Sequence, residues 1–84
     1  MKKRFRTLVR GGWHIIEVPP KGDEIMSNED HYRMLRQWCA SNVEKNDWEG
    51  TLNRTSNTKG MPLGQKRFAF KNVEDKLVFA LRWS

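Results

Sequence analysis

Few side chains in this 84-residue chain have the chemistry to attack a substrate, bind a metal or relay a proton: the single thiol Cys39, the imidazoles His14 and His31, and the adjacent acid pairs Glu29-Asp30 and Glu74-Asp75. A thiol nucleophile needs a base beside it and a partly exposed, electropositive setting. Cys39 instead falls on the apolar stripe of a helix, where cysteine serves as a small core residue. One Cys and two His at unrelated spacings match no zinc pattern. Adjacent carboxylates diverge around a helix rather than converging on one bond, and their place in two first helical turns is where the macrodipole favours negative charge. Lys59-Gly60 lacks the strand, the spacing and the following Ser or Thr of a phosphate-binding loop. Asn53-Arg54-Thr55 fits a glycosylation sequon, but the first twenty residues carry no apolar run of a secretion signal or membrane span. These residues therefore predict no catalysis, no cofactor and no metal, and turn attention to binding.

The stretch with functional colour is Lys66-Arg67-Phe68-Ala69-Phe70-Lys71-Asn72-Val73. It resembles the RNP1 box of RNA-recognition motifs at its basic residue, its two aromatics and the Ala between them. It departs from the box at Arg67, Lys71 and Val73, and the companion box on the first strand is missing. The resemblance implies a strand whose Phe68 and Phe70 stack on unpaired bases, beside a basic loop. Two inward phenylalanines in a small core are the competing account.

Positioning these residues requires the following elements. FRTLVR and WHIIEV read as two strands joined at Gly11-Gly12, because a glycine pair tolerates the positive φ of a two-residue hairpin turn. That hairpin sets Leu8 opposite Ile15 and Arg6 opposite Glu17; one long bulged strand is the alternative. Pro19-Pro20 ends the strand, having no N–H to donate. Ser27 followed by Glu29 and Asp30 marks a helix start, and the helix runs to about Val43 with Tyr32, Leu35, Trp38 and Cys39 on its apolar stripe. Trp48 to Asn53 alternates as a short strand in which Gly50 marks a bulge or close contact. A loop over about 54–66, rich in Ser, Thr, Asn and Gly, is long enough to be mobile or functional. Lys66 to Lys71 is a strand with Phe68 and Phe70 inward and Arg67, Ala69 and Lys71 outward. Asn72 then caps a helix whose stripe is Val73, Leu77, Ala80 and Leu81. The alternation of Leu77, Phe79, Leu81 and Trp83 would also suit a strand, and the cap decides for helix.

The order ββαββα predicts a single α+β domain over 1–84: a two-layer sandwich in which two helices cover one face of a mostly antiparallel sheet, as in ferredoxin-like or split βαβ folds. At 37% hydrophobic residues the chain can build one core and no more. A lone cysteine precludes an internal disulfide and fits a reducing cytoplasm, with no membrane association.

The net charge of +6 is segregated. Residues 1–10 hold Lys2, Lys3, Arg4, Arg6 and Arg10 with no acid, and residues 54–71 hold Arg54, Lys59, Lys66, Arg67 and Lys71 with no acid, whereas from Gly11 to Asn53 acids outnumber bases eight to four. If both basic stretches share one side, they form a cationic patch suited to a polyanion; solubility alone is the plainer reason for such charge. The candidate contact residues are Lys3, Arg4, Arg6, Arg10, Arg54, Lys59, Lys66, Arg67, Phe68, Phe70 and Lys71. RGGW at 10–13, RQWC at 36–39 and the closing FAFKNVEDKLVFALRWS give the chain a likeness to short accessory proteins of tailed bacteriophages. That resemblance implies a small modifier that binds host proteins or nucleic acid; the leading expectation is docking on a host or phage macromolecule, a protein foremost, in the host cytoplasm, through the 54–66 loop and any exposed Trp. Single-stranded nucleic acid, held by Phe68, Phe70 and the cations, is the alternative partner.

Overall fold

The computed structural model describes residues 8, 10–20, 27–54 and 62–83. Within them the chain is α+β, with a three-stranded antiparallel sheet and two long helices in the order β1 (His14–Val18), α1 (Asn28–Asn42), β2 (Trp48–Leu52), β3 (Lys66–Phe70) and α2 (Val73–Trp83). The strand order is β1-β3-β2, and β3 runs antiparallel to both neighbours. β1 and β2 are therefore parallel to each other, joined through α1 and separated by the later strand β3.

Register decides which side chains meet. His14, Phe70 and Trp48 align in one row, and Ile16, Phe68 and Gly50 in the next. Two residues further along lie Val18, Lys66 and Leu52. With a side-chain period of two, these rows share one face of the sheet. That face carries the core: Phe68, Phe70, Leu35, Cys39 and Phe79 are all fully enclosed, with Ile16, Val18, Trp38, Trp48 and Trp83 packed around them. Phe68 is the hub. Its ring centroid lies 5.8 Å from that of Tyr32, 6.4 Å from Trp48 and 5.0 Å from Phe79. Gly50 makes this possible, because a Cβ there would lie 2.8 Å from Phe68 Cε1. The close contact expected at this glycine is the aromatic ring crossing β2.

α1 begins as its sequence dictates. Ser27 is the N-cap, its Oγ accepting from Asp30 N at 3.2 Å and its carbonyl from His31 N at 2.9 Å. The stripe delivers Tyr32, Leu35 and Cys39 to the core, joined by His31, with Trp38 half-buried against it. At the start of α2 the carbonyl of Asn72 accepts from Lys76 N, while its side-chain amide donates to Asp47 and Asp75 carboxylates at 3.2 and 3.4 Å.

Four expectations need correction. Leu8 and Arg10 are helical, so the N-terminal hairpin does not form there, and Ile15 pairs with Ala69 rather than Leu8. The glycine pair closes a helix instead of a hairpin, with Trp13 N donating to Leu8 O at 3.0 Å across Gly12, whose φ is +85°. A six-to-one bond closed over a left-handed glycine is the Schellman helix end, with apolar residues at both of its characteristic positions. The described residues thus contain three strands, not the four of ββαββα. Glu17 finds its cation across the ladder in Arg67, at 3.1 Å, and Arg6 lies outside the described residues.

Ala69, expected outward, is fully buried on the reverse face of the central strand, and Leu8 is 3% exposed. Finally, α2 presents Phe79 to the core with Trp83 packed beside it, one turn along, while Val73, Leu77 and Leu81 of the expected stripe are exposed. Two apolar stripes run along this helix, and the one bearing aromatic rings, with more area to bury, takes the core.

Candidate functional site

The surface where arginine, tryptophan and tyrosine side chains converge lies along α1 and the start of β2. Arg36 is one helical turn beyond Tyr32, the spacing at which side chains on a helix meet, and it donates from Nη1 to Tyr32 Oη at 2.9 Å. Its guanidinium carbon lies 5.5 Å from the Tyr32 ring centroid and 5.2 Å from that of Trp48. Both distances are within cation–π range. Arg54, just past β2, approaches the same Tyr32 ring at 5.6 Å and grips Glu29 through Nε and through Nη2, the latter at 3.2 Å from Oε2. That hydrogen-bonded guanidinium holds the Glu29 carboxyl below its usual range. Both partners are more than half exposed, so the pair contributes little to stability.

Two depressions meet at Arg36. One, of about 590 Å³, is lined by Trp13, Arg36, Ala40, Lys45, Trp48 and Glu49, among others. The other, of about 380 Å³, is lined by Glu29, Tyr32, Arg33, Arg36 and Arg54. The charges in the two differ in kind. In the smaller one Arg54 is neutralised by Glu29 and Arg33 faces Asp30 at 3.5 Å. In the larger one, neither Arg36 nor Lys45 has a carboxylate within ion-pair distance among the described residues, and Glu49 is the single acid on its wall. The larger cleft therefore combines two cations that make no ion pair among the described residues, one acid and two indole side chains.

Among the described residues, those singled out from sequence do not assemble into one site. Phe68 and Phe70 are wholly enclosed, so no base can stack on either without opening the core. Lys66 is fully buried as well, its Nζ donating to Asn28 Oδ1 at 3.0 Å and Gly64 O at 3.1 Å. Arg67 points to the reverse face of the sheet and pairs with Glu17. Arg10, Arg54 and Lys71 are exposed, and Lys3, Arg4, Arg6 and Lys59 lie outside the described residues. The described cations of 54–71 thus disperse to the α1 surface, the interior and the opposite side of the sheet. Of the 54–66 loop, the base is fixed: Asn53 N donates to Gln65 O, Gly64 N to Asn53 O, and Asn53 Nδ2 to Pro62 O.

Cys39 is fully buried, and desolvation pushes its thiol up to about 12, so it is neutral at physiological pH. Among the described residues no cluster of His, Cys, Asp and Glu could hold a metal ion, and no helix is long and apolar enough to cross a membrane. Sequence reasoning missed the cleft because Arg36 reads as a wet-side residue. The available signal was the Tyr32–Arg36 spacing beside a strand that opens with Trp48. No protein family, curated protein or solved structure matches the chain.

Proposed function

We propose that this chain is a small binding protein that docks on a protein partner, taking into the Trp13–Arg36–Trp48 cleft a short segment in which a carboxylate stands beside an apolar side chain. The observation that carries this reading is the half-buried Arg36, within cation–π range of both Tyr32 and Trp48 and lacking a carboxylate partner among the described residues. A guanidinium held by rings has already lost much of its conformational freedom, so an incoming carboxylate gains a charge-assisted bond at reduced entropic cost. Indole and guanidinium groups are also the side chains that dominate contact energetics at protein interfaces.

Charge favours a peptide over a polyanion. Two cations opposed by Glu49 match one or two carboxylates, whereas a nucleic-acid track needs a run of unpaired cations along its length. The likeness to phage accessory proteins fits a host or phage protein as the partner, met in the host cytoplasm. The finer fold that accompanies this reading is a split β-α-β relative of ferredoxin-like domains, with both helices on one face of the sheet.

The test is a tryptophan-fluorescence titration with a short peptide alternating Glu and Leu and, separately, with single-stranded DNA and RNA ten-mers. The peptide is expected to bind, Arg36→Gln to weaken it roughly tenfold, and a fourfold rise in salt to cost less than about tenfold, as for one or two charge contacts. Oligonucleotide binding that collapses with salt and ignores Arg36→Gln would replace this reading with the nucleic-acid one.

A further inference from the structure

Beyond its first turn, where Glu74 is exposed, the outer side of α2 is apolar where a helix of a small domain is ordinarily polar. Leu77 is 55% exposed, Val78 52%, Leu81 80% and Val73 41%. Leu77, Val78 and Leu81 follow the three-and-four spacing that puts side chains on one helical face. They lie opposite Phe79 and Trp83, which serve the core. The cleft on α1 does not involve this face.

We propose that α2 pairs with α2 of a second copy of this chain, antiparallel about a two-fold axis near Leu77 and Val78. The charge pattern selects that partner. The first turn of α2 carries Glu74 and Asp75 and the last turn carries Arg82. Asp75 and Arg82 are seven residues apart, so they share one flank of the apolar stripe. An antiparallel two-fold brings that flank against itself, placing Asp75 of each copy beside Arg82 of the other. The same operation puts Leu77 against Val78 and sets the helix dipoles head to tail. A parallel pair would instead set this flank against the opposite one, leaving Asp75 and Arg82 of the two copies on different sides of the seam. Isologous pairing of this kind is self-limiting, giving a dimer rather than a filament.

The area sets the strength. The four apolar side chains expose roughly 400 Å² per copy, below the roughly 600 Å² per partner at which stable interfaces begin. The dimer is accordingly weak and reversible, with dissociation in the micromolar to sub-millimolar range.

Sedimentation equilibrium of the full chain across this concentration range provides the test, with circular dichroism of each variant to establish folding. The wild-type chain should show a monomer–dimer equilibrium. Leu77→Lys should remain folded and stay monomeric, since Leu77 takes no part in the core. Asp75→Arg and Arg82→Asp should each weaken the dimer, and the double exchange should restore it, an outcome that non-specific stickiness does not produce. A chain that stays monomeric to millimolar concentration, a Leu77→Lys variant that still dimerises, or a double exchange that fails to restore pairing would each overturn the proposal.

Discussion

Gly50 and Phe68 show how one missing side chain organises the interior. Phe68 touches rings from α1, β2 and α2, and its ring approaches β2 closely because the residue opposite has no Cβ. On strand propensity alone, alanine at position 50 would stabilise by up to about 1 kcal/mol, since glycine is the more costly residue to order. The overlap reverses that sign. A Cβ at 2.8 Å meets a ring that is fully enclosed and has nowhere to go. Gly50→Ala is therefore expected to destabilise the fold by about 1–3 kcal/mol, read from urea unfolding midpoints at unchanged slope. An unchanged or raised midpoint would mean that Phe68 is not locked in place. The glycine was legible as a site of close contact because it interrupts an alternating strand. The identity of its neighbour was not, since that depends on a register set by β3, which begins only after the thirteen residues (53–65) that follow β2.

The elements themselves divide into those with local signals and those decided from afar. Ser27 with its following acids, and Asn72 with its own, mark helix starts that the structure places within a residue of expectation. The β2 and β3 segments likewise read correctly from alternation. Gly11-Gly12 misled because glycine permits several turns, and the hairpin and the Schellman helix end both draw on the left-handed region. They differ in how many residues enter it: a type I′ hairpin needs positive φ at both positions, whereas here Gly12 adopts it and Gly11 does not. Gly12→Ala is accordingly expected to cost about 1 kcal/mol or more, and Gly11→Ala less than about 0.5 kcal/mol. Equal losses by thermal unfolding would restore the hairpin. The two stripes of α2 pose the same problem in another form: the sequence contains both, and which one turns inward depends on the aromatic pocket that Phe68 and Phe70 offer to Phe79.

At the scale of the whole molecule, the described cations of 54–71 do not share a single basic side. Folding sends Arg54 to α1, Lys66 to the interior and Arg67 to the reverse face of the sheet. A run of cations in sequence becomes separate contacts in space, because neighbours on a strand point to opposite faces. What the fold does gather is the cleft of Trp13, Arg36, Lys45 and Trp48, drawn from segments that precede β1, run along α1 and open β2. Its role as the contact surface is the claim on which the functional account rests. The chain's four tryptophans report on it directly, because each indole N–H gives its own signal in a ¹⁵N-correlated proton spectrum, and Trp13 and Trp48 line the cleft while Trp38 and Trp83 pack against the core. On titration with the Glu–Leu peptide, the Trp13 and Trp48 signals should shift together and saturate while Trp38 and Trp83 stay in place. Saturable shifts confined to Trp38 and Trp83, or no indole shift at all, would contradict it.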